Sequence, residues 1–269
     1  MRLTGSNEMQ LKVPIVITLY FWIIKILATT VGETGADYLT INMKFGMTVT
    51  SVLMVTVLLA VLFVQIKHAK YNPWLYWLTV VLVSIVGTLL TDNLTDNLGV
   101  PLGMSTLSFT LALGLTFWLW YRVESALSIH SIYTVRRELF YWAAILLTFA
   151  LGTAAGDLLA EGLGLGFAVS GVIFAILIAM IAAGFYVFKL NGVLMFWLAY
   201  IVTRPLGASI GDYLTQPFKA GGLGLGTTTT SAVFLLLIVG LVIYLSMTRL
   251  DAEKEPAFIK EINEEPESV

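Results

Sequence analysis

Four aspartates recur at one fixed place in this sequence. Asp37, Asp92, Asp157 and Asp212 each follow a tryptophan by fifteen residues, the tryptophans being Trp22, Trp77, Trp142 and Trp197. A Phe or Tyr precedes each Trp, a Gly stands five residues before each Asp, and a Leu follows two residues after it. Carboxylates repeated in this way could bind a cation. The chain has no Cys, and its two His, His68 and His130, lie in polar connections, so the available ligands are hard oxygens. Such ligands suit Mg2+, Ca2+ or Mn2+ better than Zn2+ or Cu+.

Residues three or four apart share a helix face. Counted from each Trp, Lys25, Thr29, Glu33 and Asp37 fall at offsets 3, 7, 11 and 15. Ser84, Thr88 and Asp92 take offsets 7, 11 and 15 in the second repeat, and Thr153 and Asp157 take 11 and 15 in the third. Tyr200, Arg204 and Asp212 take 3, 7 and 15 in the fourth. A polar stripe of this kind is costly against lipid and belongs inside a bundle or along an aqueous cleft. The four Asp are therefore the candidate metal ligands, with Glu33, Lys25, Thr88, Thr153 and Arg204 as site-lining or proton-coupling residues. Glu33, Lys25 and Arg204 each occur in one repeat only, which breaks the symmetry as a vectorial device requires. Plainer alternatives stand beside this reading. The Asp could end helices at the water interface or cap the next helix, although a carboxylate there meets the negative end of the macrodipole. Lys25 could snorkel to the interface, and Arg204, beside Pro205, could be an internal counter-ion.

Such stripes need long helices in a membrane to position them. The chain has 269 residues, 58% of them hydrophobic and 12% charged, with a mean hydropathy of +0.89. Only an all-α polytopic membrane protein fits those values. Apolar runs long enough to span occur at 13–38, 46–66, 73–93, 102–121, 138–160, 166–188, 192–214 and 227–248. These predict eight transmembrane helices, the first too long for a cleavable signal. Most Lys and Arg fall on one side of the alternation, including Lys12, Lys67, Arg122, Arg136, Arg137, Lys189 and Arg249, while Lys44 and Lys219 fall on the other. The positive-inside rule puts both termini in the cytoplasm. The expected divisions are an N-terminal segment 1–13, a first half 14–121, a cytoplasmic linker 122–137, a second half 138–248 and a disordered tail 249–269. Nothing points to nucleic acid, and the lipid bilayer is the implied surroundings.

The even helices repeat too. They open with Gly46, Gly103, Gly166 and Gly226, followed by hydroxyl residues such as Thr48, Thr50, Ser105, Ser170 and Thr230. Ser and Thr caps at these N-termini would occupy the free backbone donors and keep the site suited to cations. Each repeat is thus two helices, all with one orientation, related by rotation about the membrane normal. The four Trp are expected at the cytoplasmic interface, as are the aromatic stretches "YNPWLYW" at 71–77 and "WLWY" at 118–121. The stretches "GLGLG" at 162–166 and "GGLGLG" at 221–226 read as hairpin linkers rather than phosphate loops, because no P-loop Lys follows them.

Four tandem two-helix repeats, each with its Trp, resemble a family of bacterial membrane proteins catalogued as a repeat of unknown function, or as uncharacterised membrane-anchored proteins. The resemblance covers residues 14 to 248 and implies eight helices in the inner membrane; it brings no chemistry with it. Function is therefore read from the residues. The leading expectation is a secondary transporter of a hard divalent cation, Mn2+ export among the candidates, coupled to protons through clustered carboxylates. Its rivals are an organic-cation transporter and a non-transporting membrane scaffold or sensor. No enzyme motif is present, and no cofactor is implied beyond a bound divalent cation.

Overall fold

The computed structural model describes residues 11–68 and 70–251. Eight long helices account for most of them: α1 (Leu19–Asp37), α2 (Gly46–Lys67), α3 (Pro73–Asp92), α4 (Leu102–Glu124), α5 (Val135–Asp157), α6 (Phe167–Tyr186), α7 (Gly192–Thr215) and α8 (Thr227–Thr248). Seven are long and apolar enough to cross a membrane. The exception, α1, carries Lys25, Glu33 and Asp37, and it packs between α3, α7 and α8. This is an all-α membrane protein of four repeats. The first helix starts at Leu19, six residues after the expected 13, because Pro14 disfavours helix in Val13 and Thr18 supplies the N-cap. The second half likewise starts early, at Val135, inside the expected 122–137 linker. The tail expected to be disordered lies outside the described residues from 252 onward, as do residues 1–10.

Every odd helix is capped by a side chain: Thr18 accepts from Phe21 N, Asn72 from Trp74 N, Thr134 from Arg137 N and Asn191 from Val193 N. No even helix is capped in this way, so the hydroxyl caps expected there are corrected. Instead Gly46, Gly166 and Gly226 turn into their helices with positive φ, which glycine adopts without strain. The buried hydroxyls Thr50, Ser105, Ser170 and Thr230 sit one turn further in.

The odd helices close on one another. α1 packs on α3, α3 on α5, α5 on α7, and α7 back on α1. Two repeated contacts account for this. The Gly at offset 10 of each repeat receives the residue at offset 7 of the next: Gly32 meets Ser84, Gly87 meets Phe149, Gly152 meets Arg204, and Gly207 meets Thr29. A Cβ at any of these glycines would overlap its partner, so the absence of a side chain sets the helix approach. The Phe or Tyr before each Trp, in turn, lies against the Trp of the next repeat. Ring centroids are 5.3 Å apart for Phe21–Trp77, 5.7 Å for Tyr76–Trp142, 6.1 Å for Tyr141–Trp197 and 5.8 Å for Phe196–Trp22.

The repeated tryptophans turn inward: Trp77, Trp142 and Trp197 are buried and Trp22 is half-buried, forming an aromatic plug inside the bundle. Within the two aromatic stretches, Trp74, Trp118 and Tyr121 are exposed as a belt requires, whereas Tyr76 and Trp120 are buried. The even helices form an outer layer in which each leans on the odd helix of the following repeat: α2 on α3, α4 on α5, α6 on α7 and α8 on α1.

The tryptophan end is sealed by polar contacts. Lys12 Nζ donates to Glu138 Oε2 at 2.9 Å and to Ile66 O at 2.7 Å. Gln65 Nε2 and Trp142 Nε1 donate to Glu138 Oε1 at 3.2 and 3.4 Å. Beyond α8, Asp251 O accepts from Ile15 N and Val16 N at 2.9 and 3.2 Å, and Tyr71 Oη donates to Asp251 Oδ2 at 2.6 Å. Residues 11–18 thus form a strap across this end.

Candidate functional site: an acidic cavity over an arginine floor

At the opposite end, the four repeated Asp meet in one cavity of about 600 Å3, whose lining also includes Glu33, Asp96, Glu161 and Gln216. Their fixed offset from Trp, carried on helices that close by rotation, brings them to one place. Asp37, Asp92 and Asp157 each end an α-helix and are followed by a wider turn. In that turn Met43 N bonds Tyr38 O, Leu98 N bonds Asn93 O, and Leu163 N bonds Leu158 O. These bonds span five residues, a π-type widening often found at functional positions. None of the three Asp side chains caps the turn that follows, so the capping alternative is set aside. The fourth repeat departs: α7 continues past Asp212 to Thr215 without a π turn.

The acidic groups share a cavity but not a single coordination sphere. Among the described residues no group of three or more His, Cys, Asp or Glu is arranged to hold one metal ion.

The cavity floor is built on Arg204. This side chain is fully buried and reaches all the inner helices. It is on α7 itself; Nη1 donates to Thr29 O on α1 at 2.9 Å, and Nη2 donates to Glu33 Oε2 on α1 at 3.0 Å. The same Nη2 donates to Thr153 Oγ1 on α5 at 2.7 Å and to Thr88 Oγ1 on α3. Glu33, Thr88 and Thr153 all occupy offset 11. One arginine from the fourth repeat thus gathers the equivalent residues of the other three. Arg204 fits because Gly152 leaves room for its Cβ and Cγ, and α7 runs on through Pro205. The bond to Glu33 makes Arg204 an internal counter-ion, as one of the plainer alternatives held.

Lys25 lies deeper, toward the tryptophan plug. It is fully buried and its Nζ has no hydrogen-bond partner among the described residues. The ammonium sits 4.0 Å from the Tyr200 ring centroid and 4.7 Å from that of Phe149. It does not snorkel; aromatic faces stand in for water. From the mouth inward the axis thus carries the four Asp, the Arg204–Glu33 pair, Lys25 and the aromatic plug.

Thr40 and Thr95 also line the cavity and were not foreseen. The signal for them was present: a Thr follows the repeated Asp by three residues at Thr40, Thr95 and Thr215. Gln216 carries no such signal.

Residues 20–71, 75–126, 140–191 and 195–251 each match the family model described as Repeat of Unknown Function (DUF347). No curated protein and no solved structure matches the chain.

Proposed function

We propose that this chain, which belongs to the DUF347 family through all four of its repeats, is a membrane transporter of a small hard cation. The observation that carries the reading is the convergence of Asp37, Asp92, Asp157 and Asp212 on one cavity. In this reading the protein sits in the bacterial inner membrane with both termini cytoplasmic, and the cavity opens outward. The cation is a divalent ion, with Mn2+ export among the candidates, and it enters with part of its hydration shell. Mg2+-like ions commonly bind this way, through one or two carboxylates and several waters. Protons couple through the clustered carboxylates of the cavity, while Glu33, one turn below Asp37, is held in an ion pair with Arg204. Coupling to a proton gradient follows if a carboxylate of that cluster takes either charge.

A second reading is favoured by a cavity volume within the range of small-molecule pockets: the substrate is an organic cation. One experiment separates the two. Purified protein is titrated calorimetrically with Mn2+ and, separately, with tetraethylammonium. Mn2+ binding that Asp37→Asn and Asp157→Asn weaken supports the divalent ion. Binding of tetraethylammonium alone supports the organic cation, and binding of neither removes the transport reading.

A further inference from the structure

We infer that Arg204 is a tethered cation that occupies Glu33 and locks the four inner helices together until a free cation takes its place. The inference rests on the cation reading above and goes beyond it by naming the gate.

Three observations lead there. First, the guanidinium holds the Glu33 carboxylate at 3.0 Å, directly beneath the cavity that Glu33 also lines. A cation entering the cavity meets a carboxylate that is already neutralised by a positive charge belonging to the protein. Second, the same side chain bonds α1, α3 and α5 while rooted in α7. Its withdrawal removes the one side chain that ties all four inner helices together at that level. Third, Asp157, one turn beyond Thr153 on α5, lines the cavity and offers the displaced guanidinium a carboxylate. A cation at Glu33 would leave Arg204 to swing toward the Asp level.

A buried ion pair is a weak source of stability, because desolvation offsets much of the attraction. Here the pair closes the path. A cation cannot pass the axis while two bases, Arg204 and Lys25, occupy it. Displacement therefore couples occupancy of Glu33 to loosening of the bundle, the differential contact that a conformational change requires.

The test avoids removing Arg204, which would strand Glu33. Thr153→Val deletes one hydroxyl acceptor of the guanidinium at nearly constant volume. If Arg204 competes with the cation, Thr153→Val makes Mn2+ bind more tightly, by about tenfold, equivalent to about 1.4 kcal/mol. If Thr153 is instead a ligand or a structural hydroxyl, affinity falls or is unchanged, and displacement is overturned. A second measurement reads the lock itself. Val80, at offset 3 on α3, is fully buried below Arg204, and the chain has no Cys. In Val80→Cys protein in liposomes, a membrane-impermeant maleimide should label slowly. Mn2+, or Thr153→Val without Mn2+, should speed labelling several-fold. A rate moved by neither overturns the lock. Failure of Mn2+ to bind wild type and variant alike overturns the cation reading and the displacement with it, a different result from binding that Thr153→Val leaves unchanged.

Discussion

Thr29 on α1 packs onto Gly207 on α7, the contact that joins the last repeat to the first, and neighbouring Thr30 donates to Gly207 O at 3.0 Å. A methyl group at Gly207 would overlap Thr29 and open the closure. Gly207→Ala should therefore destabilise the fold by about 1–3 kcal/mol, the usual cost of overpacking. Gly114→Ala on α4, where nothing lies within 4 Å of the added atom, should be neutral or stabilising by up to about 1 kcal/mol. Denaturation in detergent compares the two; equal effects would mean that Gly207 does not set the seam.

Tyr76 and Tyr141 share a buried hydroxyl–hydroxyl bond of 2.6 Å in the aromatic plug. Tyr76→Phe leaves the Tyr141 hydroxyl without that partner, a loss of about 1–3 kcal/mol. The double variant Tyr76→Phe/Tyr141→Phe should cost no more than either single one, because both polar groups leave together. An additive double variant would show that each hydroxyl has another partner.

Lys25→Met should hold or raise stability, by about 1 kcal/mol or more, because a buried amine with no hydrogen-bond partner among the described residues is replaced by an apolar chain of similar length. Thermal unfolding measures it. A large loss would show that Lys25 is held by contacts beyond the two aromatic faces.

Glu33→Gln should destabilise the fold, by about 3 kcal/mol, because the buried Arg204 guanidinium loses its charged partner. Thermal unfolding in detergent measures it; an unchanged midpoint would show that the pair does not hold the inner helices.

Asp251 gives a pH dependence of a different kind. Burial raises the pKa of its carboxyl above the ordinary value, although the bond from Tyr71 partly opposes this. A carboxyl raised on folding favours the protonated form in the folded state. Its contribution is fully present below the unfolded value of about 4 and is lost as pH rises through the folded value. The strap should thus be held more firmly in mild acid than at neutral pH. Hydrogen exchange at Ile15 and Val16, whose amides bond Asp251 O, reads this directly. Asp251→Asn should flatten the profile over that window.

The helices were legible because length and hydropathy together admit little else, and the shared cavity was legible because a constant Trp-to-Asp offset on rotated helices leaves the Asp few other places. The aromatic plug was not. An aromatic side chain satisfied at an interface and one packed in a plug have the same composition; the distinguishing mark was the Phe or Tyr fixed before every Trp. The strap was hidden because Val13 to Ile17 is apolar and reads as helix, while Pro14 and the Thr18 cap argue otherwise. The Arg204–Glu33 pair was hidden because the two lie at different offsets, 7 and 11, and it is the length of the arginine side chain, seated against Gly152, that lets it reach the offset-11 residues of the other helices. Which odd helix each even helix covers could not be read from connection lengths, since both neighbours lie within reach.

Because each even helix covers the following repeat, and α8 covers the first, a single two-helix unit buries little of its own surface, whereas four units satisfy one another completely. Four separate copies could make the same contacts as a homotetramer. Such a tetramer, however, would have to place the same residue at every equivalent position: four arginines crowding one axis, or four glutamates with no base between them. Duplication and fusion into one chain remove that restriction. They allow a single arginine to be seated among two threonines and one glutamate, an asymmetric charge pair that identical subunits cannot assemble.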